Sequence, residues 1–223
     1  MSLLKLENIS YGYVDGGMRR EILKDLSYEF EAGKFYTILG PSGSGKTTLL
    51  SIIAGLDVAD KGNVYYQGEE ITKMGLEKYR RNKMGIVFQQ FNLINYLTGL
   101  ENLEIAMTET ENELPKDQKR IAYALLERLG IVKSKADRMV TKLSGGEQQR
   151  VAIARAMATN VDLIFADEPT GNLDTETEQE IIKIFRNLTE EYGKTVIVVT
   201  HADSVSKLSD KRVFLQDGKL IDL

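Results

Sequence analysis

Residues 40–47 of the chain, GPSGSGKT, have the composition and spacing of a loop that binds phosphate. They follow the apolar run 35–39, which predicts a strand, and they lead into residues 47–54, which have helical character. Glycines let backbone N–H groups close around phosphate oxygens, and the start of a helix adds the positive end of its dipole. In such a loop Lys46 reaches the outer phosphates and the Thr47 hydroxyl can ligate Mg²⁺. The segment therefore predicts a nucleotide site rather than an ordinary glycine turn.

Two acidic residues, Asp167 and Glu168, follow the apolar run 163–166. A strand that is apolar throughout is typical of a sheet covered on both faces, and ligands of such sheets bind at the carboxyl ends of the strands. We expect Asp167 to hold Mg²⁺, directly or through water, and Glu168 to polarise the attacking water as a general base. An isolated pair of this kind would indicate only a strand-end turn. Its place downstream of a phosphate loop favours catalysis.

Short apolar runs separated by helical patterns predict the elements that would position these residues. Strand-like runs lie at residues 4–9, 22–30, 35–39, 64–67, 84–88, 163–166, 195–199 and 212–216. Helical patterns occupy residues 47–54, most of about 90–159, and about 175–192. Apolar strands alternating with helices predict an α/β core with a mostly parallel sheet, built from about residues 1–89 and 160–223. An antiparallel β portion is expected near the amino terminus, and a helical subdomain is expected at about 90–159.

Two patterns support the predicted helical subdomain. Thr98 and Glu101 have the spacing of a capping box, which marks the start of a helix. Ile121, Leu125 and Leu129 recur at intervals of four residues and predict the buried face of a second helix, which ends at a glycine. We therefore expect the middle of the chain to be mainly helical.

Composition and charge exclude several other classes of protein. With 223 residues, 42% of them hydrophobic, the chain can bury a core, and it has no cysteine for disulfides or thiolate metal sites. A net charge of −4 indicates no general attraction to nucleic acid, so the basic run 78–83 is interpreted as a solvated helix face. The apolar stretches are shorter than the roughly 20 residues that span a bilayer, and the first residues do not resemble a signal peptide. We expect a cytoplasmic location and no nucleic-acid partner.

Residues 143–150, LSGGEQQR, resemble the signature sequence of the ATP-binding-cassette (ABC) ATPases, and the other motifs follow in that family's order along essentially the whole chain. The resemblance implies a P-loop NTPase fold with ATP and Mg²⁺ at residues 40–47. Ser144, Gly145 and Gly146 are expected to open a helix that runs to about Ala158, and the resemblance implies that its amino end grips the ATP held by a second copy of the chain. The expected assembly is a head-to-tail homodimer with ATP between the copies.

Two further positions match the family one at a time. Gln89, after the strand-like run 84–88, corresponds to the glutamine that senses Mg²⁺ and the attacking water, with Gln90 as the alternative. His201, after the run 195–199, corresponds to the histidine that contacts the γ-phosphate, although a strand-end histidine can also lack a role. Both are candidate catalytic residues, and Gln89 is also a candidate ligand of Mg²⁺.

The family also places an aromatic ring against adenine and an acidic loop between its two nucleotide sites. Spacing from residues 8–10 favours Tyr13 over Tyr11 for the ring, although a loop tyrosine can instead serve packing. Residues 171–174, GNLD, occupy the place of the coupling loop, with Asp174 as its acidic member. The residues assigned to nucleotide are Tyr13, Gly40, Pro41, Ser42, Gly43, Ser44, Gly45, Lys46, Thr47, Thr48, Ser144, Gly145, Gly146, Glu147 and Asp174; those assigned to Mg²⁺ are Thr47, Gln89 and Asp167; those assigned to catalysis are Gln89, Glu168 and His201.

The GNLD version of residues 171–174 resembles one branch of the family, and so do residues 91–93 (FNL) and 97–102 (LTGLEN). This branch includes ATPases of lipoprotein release, macrolide export and antimicrobial-peptide export, as well as a cell-division ATPase. The resemblance implies a subunit that drives export or membrane extraction of a lipid-linked or peptide-like substrate through a separate membrane permease, at the inner face of the cell membrane. Residues of about 91–103 would form the docking surface, although most of their apolar side chains are expected to be core. The alternatives are a regulatory ATPase of the cell-division type and a chromosome- or ribosome-acting ATPase, which the lack of a basic surface signal disfavours.

Overall fold

The structure is a computed structural model that describes residues 2–223. The strands are β1 (Ser2–Asp15), β2 (Met18–Glu31), β3 (Phe35–Leu39), β4 (Lys61–Tyr66), β5 (Glu69–Glu70), β6 (Met84–Phe88), β7 (Leu163–Asp167), β8 (Thr195–Val199), β9 (Lys211–Gln216) and β10 (Lys219–Asp222). The helices are α1 (Lys46–Ile53), α2 (Ile71–Met74), α3 (Leu76–Asn82), α4 (Gly99–Glu109), α5 (Gln118–Arg128), α6 (Lys133–Ala136), α7 (Gly145–Ala158), α8 (Thr175–Glu190) and α9 (Asp203–Ser206), with a 3-10 turn at Val140–Lys142. Within this range, none of the helices is both long enough and apolar enough to cross a bilayer.

The central sheet has the strand order β10-β9-β3-β8-β7-β6. Strands β3, β6, β7, β8 and β9 are parallel, and β10 returns antiparallel to β9. Helix α1 covers one face and helices α7 and α8 cover the other, which leaves β8 buried along its whole length. The predicted α/β core with a mostly parallel sheet is confirmed. Because parallel strands end at the same edge, the residues that follow β3, β6, β7 and β8 are neighbours there.

The second sheet is antiparallel throughout and has the order β2-β1-β4-β5, which confirms the antiparallel portion expected near the amino terminus. Its apolar side shares a cluster with α1 and the central sheet, which includes Leu6, Phe30 and Ile53. β1 and β2 have 14 residues each, so their hairpin extends beyond the predicted runs 4–9 and 22–30. The outer end of the hairpin leaves the core and carries no apolar alternation, which is why periodicity did not predict it.

Helices α4, α5, α6 and one side of α7 enclose a separate hydrophobic cluster, in the region predicted as a helical subdomain. The boundaries at about 90 and 159 stay a prediction. Thr98 and Glu101 form the predicted capping box: the Glu101 N–H donates to Thr98 Oγ1 (3.1 Å), and the Thr98 N–H donates to Glu101 Oε2 (2.8 Å). The predicted stripe on α5, Ile121, Leu125 and Leu129, packs against this cluster with partly buried side chains, and the fully buried positions beside it are Ala122 and Leu126. Because α5 packs against both α4 and α7, the small Ala122 lies at the centre of its buried face and the larger apolar residues lie at the rim.

Helix α7 contributes to both hydrophobic cores. Ile153 and Ala156 belong to the cluster of the central sheet, whereas Val151 and Ala154 belong to the subdomain cluster. Close packing on the sheet depends on small residues, because a Cβ at Gly85 in β6 would lie 2.8 Å from the Ala156 Cβ. The helix that begins at the signature sequence is therefore packed directly on β6, the edge strand of the central sheet.

Candidate nucleotide site

The predicted phosphate loop, residues 40–47, joins β3 to α1 at the carboxyl edge of the central sheet. Gly43 and Gly45 have φ angles of 75° and 98°, in the left-handed region that favours glycine. Gly45 also has no room for a side chain, since a Cβ there would lie 2.4 Å from Ile22 Cγ2. The tight path of the loop therefore depends on these two glycines.

Two polar groups of the loop fit an anion. The Lys46 ammonium donates hydrogen bonds to the carbonyl oxygens of Gly40 (2.8 Å) and Pro41 (3.1 Å), so its side chain lies folded against the loop. The Ser44 Oγ is buried beside Gly40 and has no hydrogen-bond partner within residues 2–223. An unpaired buried hydroxyl costs free energy, and a phosphate oxygen that accepts from it would remove that cost. The loop is therefore suited to nucleotide phosphate.

The Thr47 hydroxyl lies 3.3 Å from Oδ1 of Asp167, the last residue of β7. Burial raises the pKa of Asp167, and the neighbouring Glu168 charge raises it further. The Thr47 hydrogen bond and the Lys46 charge act in the opposite direction. A cation against both oxygens would offset the cost of the buried carboxylate. Hydroxyl and carboxylate oxygens are hard ligands of the kind that Mg²⁺ prefers, and Mg²⁺ usually takes one or two carboxylates with phosphate and water, so these residues fit the ion.

Glu168 has a left-handed backbone with φ of 43°, which is uncommon for a residue other than glycine and is frequent at functional sites. Its N–H donates to the carbonyl oxygen of Val199 (2.9 Å), so its side chain starts beside the end of β8. Oε1 of Glu168 lies 2.9 Å from Nδ1 of His201, and Oε2 accepts a hydrogen bond from Thr200 Oγ1 at 2.8 Å. The candidate base, Glu168, and the histidine predicted to contact the γ-phosphate, His201, are therefore in direct contact.

Gln89 follows β6 and contacts the loop downstream of Glu168. Its Nε2 donates to Asn172 Oδ1, and Asn172 Nδ2 donates to the Gln89 carbonyl oxygen, both at 3.3 Å. A Cβ at Gly171 would lie 2.9 Å from Gln89 Nε2, so a larger residue there would displace the end of the glutamine side chain. The predicted glutamine is thus joined to the predicted coupling loop within one chain.

These elements surround an open cleft of about 630 Å³. The residues that line it are Tyr13, Ile22, Gly40, Pro41, Ser42, Gly43, Gly45, Lys46, Thr47, Thr48, Gln89, Glu168 and His201. The cleft includes Gln89 but not Gln90, and Tyr13 but not Tyr11. Tyr13 is 45% exposed, whereas the Tyr11 hydroxyl donates to Asp57 Oδ2 at 2.6 Å. Of each pair, the residue preferred from the sequence is therefore the one available to a ligand in the cleft.

Residues 144–147 do not line this cleft; they form the start of α7. Ser144 and Glu147 make a capping box, in which the Glu147 N–H donates to Ser144 Oγ (3.3 Å) and the Ser144 N–H donates to Glu147 Oε2 (2.9 Å). Lys135 pairs with Glu147 at 2.5 Å and holds the pKa of that carboxyl below its usual range. The Glu147 carboxylate is engaged within the chain, so its assignment to nucleotide stays a prediction.

Asp174 is the N-cap of α8 and also lies outside the cleft. Its carboxylate accepts from the Thr177 N–H (3.0 Å) and from the Thr177 hydroxyl (2.7 Å), and these bonds lower the pKa of Asp174. The same threonine abuts the signature helix, because a Cβ at Gly146 would lie 2.4 Å from Thr177 Cγ2. The structure therefore shows a capping role for Asp174, and its role toward nucleotide stays a prediction.

Two residues that the sequence analysis did not select contact the predicted catalytic residues. Thr200 donates to Glu168, and Asn172 exchanges hydrogen bonds with Gln89. Thr200 stands between a predicted strand and a predicted histidine, and Asn172 stands in the predicted coupling loop, so position alone could have drawn attention to both. Their residue types do not reveal which side chain each one meets.

Comparison with known proteins identifies relatives along nearly the whole chain. A sequence model of the ABC transporter family, described as "ABC transporter", matches residues 23–171. The chain is 43% identical over 218 residues to the uncharacterized ABC transporter ATP-binding protein YclH of Bacillus subtilis, which covers 98% of this chain and 95% of that protein. It is 41% identical over 223 residues to the uncharacterized ABC transporter ATP-binding protein MJ0796 of Methanocaldococcus jannaschii, covering 98% and 95% of the two chains.

Two solved structures of MJ0796 share this fold. One is described as a dimeric bacterial ABC transporter cassette; it has a TM-score of 0.88 and 40% identity, and covers 98% of this chain and 96% of its own. The other is described as a dimeric post-hydrolysis state bound to ADP and Pi, with a TM-score of 0.89, 39% identity and coverage of 99% and 98%. Since the family model matches more than half of the chain and the relatives align over almost all of it, the chain belongs to the ABC transporter family, as an ATP-hydrolysing cassette of that family.

Proposed function

We propose that the chain is the ATP-hydrolysing subunit of an exporter or membrane extractor of lipid-linked or peptide-like substrates, and that it works as a head-to-tail dimer with two ATP molecules between the copies. The observation that carries the dimer is the separation of the two predicted half-sites. The cleft contains Lys46, Glu168 and His201, whereas Ser144 and Gly145 lie outside it at the start of α7. Because the signature lies outside the cleft of its own copy, we assign it to the ATP held by a second copy. The dimeric MJ0796 structures support this arrangement.

In the proposed mechanism, each side chain of the cleft has one task. Lys46 and the backbone N–H groups of residues 40–47 hold the phosphates of ATP, and Tyr13 packs against the adenine. Glu168 orients the attacking water and takes up its proton, while His201 contacts the γ-phosphate. Thr47 and Asp167, with Gln89 beside them, would hold Mg²⁺, which neutralises charge on the phosphate oxygens when bound.

Hydrolysis would be converted into movement by opening and closing of the dimer. With ATP bound, the amino end of α7 in one copy contacts the γ-phosphate held by the other copy. Loss of the γ-phosphate removes that contact. The closed dimer is then no longer more stable than the separated copies, so the copies separate. Gln89 lies where this change could reach the subdomain, because β6 packs on α7 through Gly85 and Ala156.

The moving parts would act on a separate membrane permease at the cytoplasmic face of the membrane. The proposed docking surface, about residues 91–103, includes Leu100 and Leu103, which are buried in the subdomain core, and Tyr96, which is 78% exposed. An exposed aromatic side chain is suited to a protein contact. The export direction rests on the branch resemblance of residues 171–174.

Reconstitution with the permease tests this proposal. The membrane protein that co-purifies with the chain is placed in inverted vesicles with the cassette facing the medium, and ATP-driven movement of a labelled lipopeptide is measured. Export predicts movement that stops with the Glu168→Gln subunit. ATPase stimulation by the permease without movement of any lipopeptide or peptide would favour the cell-division type of regulator. Stimulation by DNA or ribosomes but not by the permease would overturn the membrane role.

A further inference from the structure

We infer that Thr200 is a positioning residue for ATP hydrolysis: its hydroxyl holds the Glu168 carboxylate in the orientation from which it acts on the attacking water. The inference rests on the proposed role of Glu168 as the general base. Thr200 directly follows β8 and is fully buried. Its Oγ1 lies 2.8 Å from Glu168 Oε2, a normal distance for a hydrogen bond between oxygens.

The hydrogen bonds around Thr200 leave one direction for its single hydroxyl proton. The backbone N–H of Ala202 donates to Thr200 Oγ1 at 3.1 Å, so the oxygen accepts from that side. An ionised carboxylate has no proton to offer and can only accept. The Thr200 hydroxyl therefore donates to Glu168 Oε2 and fixes the direction in which that oxygen points.

Both ends of this hydrogen bond start from fixed points on the central sheet. The Thr200 N–H donates to the Ile38 carbonyl oxygen in β3 (3.2 Å), and the Glu168 N–H donates to the Val199 carbonyl oxygen in β8 (2.9 Å). The side chains of Thr200 and Glu168 therefore extend from adjacent parallel strands with little freedom in their backbones. A displacement of about 1 Å in a reacting group can cost roughly 100-fold in rate. Backbone hydrogen bonds that hold Thr200 and Glu168 in place are therefore important for the action of the base.

The Glu168 carboxylate also contacts the His201 ring, through Oε1, and this contact is exposed to solvent on the histidine side. The His201 side chain is 74% exposed, whereas that of Glu168 is 18% exposed. His201 is proposed to turn toward the γ-phosphate, and this movement would leave Oε1 of Glu168 without its partner. Oε2 would keep the buried Thr200 hydroxyl at 2.8 Å and a longer contact with the backbone N–H of His201 at 3.4 Å. The Thr200 hydroxyl is thus the shorter of the two contacts that hold the carboxylate while Oε1 faces the attacking water.

The test removes the hydroxyl without changing the shape of the side chain. We expect Thr200→Val to lower kcat by roughly 10- to 100-fold while KM for ATP changes less than about 3-fold, because the loss concerns the base and not nucleotide binding. Thr200→Ser keeps the donor and should restore kcat to within about 3-fold of the parent. If Thr200→Val does not fold, Thr200→Ala provides the same loss of the donor.

A matched control comes from the same strand. Thr195 is buried at the opposite end of β8, and its Oγ1 accepts from the Gly33 N–H at 2.8 Å. Thr195→Val also removes a buried hydroxyl and a hydrogen bond, but far from the cleft, so it should lower the melting temperature and leave kcat of the folded protein unchanged. Equal loss of kcat in Thr195→Val and Thr200→Val would overturn the inference.

A double variant separates positioning from a general loss of structure. If Thr200 acts through Glu168, Thr200→Val should cause no further loss of hydrolysis in the Glu168→Gln background. If Glu168→Gln hydrolyses ATP at the parent rate, Glu168 is not the general base, and both its proposed role and the inference for Thr200 are wrong. Loss of hydrolysis in Glu168→Gln together with a parent kcat in Thr200→Val would overturn the inference alone.

Discussion

The Thr47 hydroxyl lies 3.3 Å from Asp167 Oδ1 and joins the first helix of the chain to a strand end 120 residues further on. Thr47 is placed by the phosphate loop, and Asp167 is placed by a strand buried between α1 and α8. Two ligands from distant segments are thus held by elements that form part of the core. Thr47 and Asp167 would together fix the position of the proposed Mg²⁺. The position of the attacking water would depend on that of the ion.

Replacing Asp167 by Asn should separate stability from activity. The pKa of Asp167 is raised by burial, so the stability that its protonated form contributes is present below the unfolded pKa of about 3.8 and is lost as pH rises through the folded pKa. At pH 7 the ionised carboxylate therefore destabilises the nucleotide-free protein. Asp167→Asn should raise the melting temperature at pH 7, with the difference disappearing near pH 3, and should lower Mg²⁺-dependent hydrolysis by at least about 10- to 100-fold. Calorimetry across pH and an ATPase assay check the two parts.

Replacing Glu168 by Gln should stop hydrolysis and preserve binding. Glutamine still offers an oxygen that can accept from Thr200, so the frame of the site is kept while the base is lost. We expect hydrolysis to fall by about 10² to 10⁴, the usual contribution of a general base. ATP should still bind, and the ATP-bound dimer should accumulate in size-exclusion chromatography. A variant that turns over at the parent rate would exclude Glu168 as the base.

Much of the fold could be predicted because the apolar pattern of each strand and helix is visible in a short stretch of sequence. Apolar runs and glycine positions identified β3, β6, β7 and β8, and the motifs that follow them placed the predicted site at the edge where parallel strands end. What could not be predicted depends on contacts between distant residues. Which side of α5 is most deeply buried depends on its packing against α4 and α7. The outer part of the β1–β2 hairpin is largely exposed, so its sequence has no regular apolar alternation.

The sequence also did not predict the contact between α7 and the loop that follows β6. Arg155, in α7, donates to the carbonyl oxygens of Phe91 (3.3 Å) and Asn92 (2.6 Å), both of which have left-handed backbones. Burial lowers the pKa of this guanidinium, so it is a desolvated cation paired with backbone dipoles. Nothing in the residue types of a short Phe-Asn loop predicts such a partner 63 residues away. Only the packing of the signature helix on β6 brings them together.

Replacing Ser144 by Arg should abolish dimer formation without affecting nucleotide binding to each copy. The larger cation would occupy the space where the signature must meet the partner's phosphate, whereas the cleft of the same copy does not include Ser144. Ser144 also caps α7, so the change costs about 1 kcal/mol of helix stability in addition. ATP-dependent dimerisation is followed by light scattering, and ATP binding by fluorescence titration. Dimerisation that survives unchanged would contradict the composite site.

A matched variant controls for the lost cap. Thr98 caps α4 with the same capping-box geometry, its partner being Glu101 as Glu147 is the partner of Ser144. Thr98→Arg should therefore cost a similar amount of stability and leave ATP-dependent dimerisation intact. If both variants fail to dimerise to the same degree, the loss reflects destabilised subdomain helices and not a missing phosphate contact.

Replacing Tyr13 should weaken ATP binding with little effect on the chemical step. Tyr13 lines the cleft and is 45% exposed, so its ring is free to pack against adenine, and an aromatic–base stack contributes about 1–3 kcal/mol. Tyr13→Ala should raise KM for ATP by roughly 5- to 150-fold at nearly constant kcat, and Tyr13→Phe should retain parent values because the ring remains. Tyr11→Phe, in the same strand as Tyr13, is the control: it breaks the hydrogen bond to Asp57, and Tyr11 lies outside the cleft, so KM should not change. A raised KM in Tyr11→Phe together with a parent KM in Tyr13→Ala would reverse the assignment.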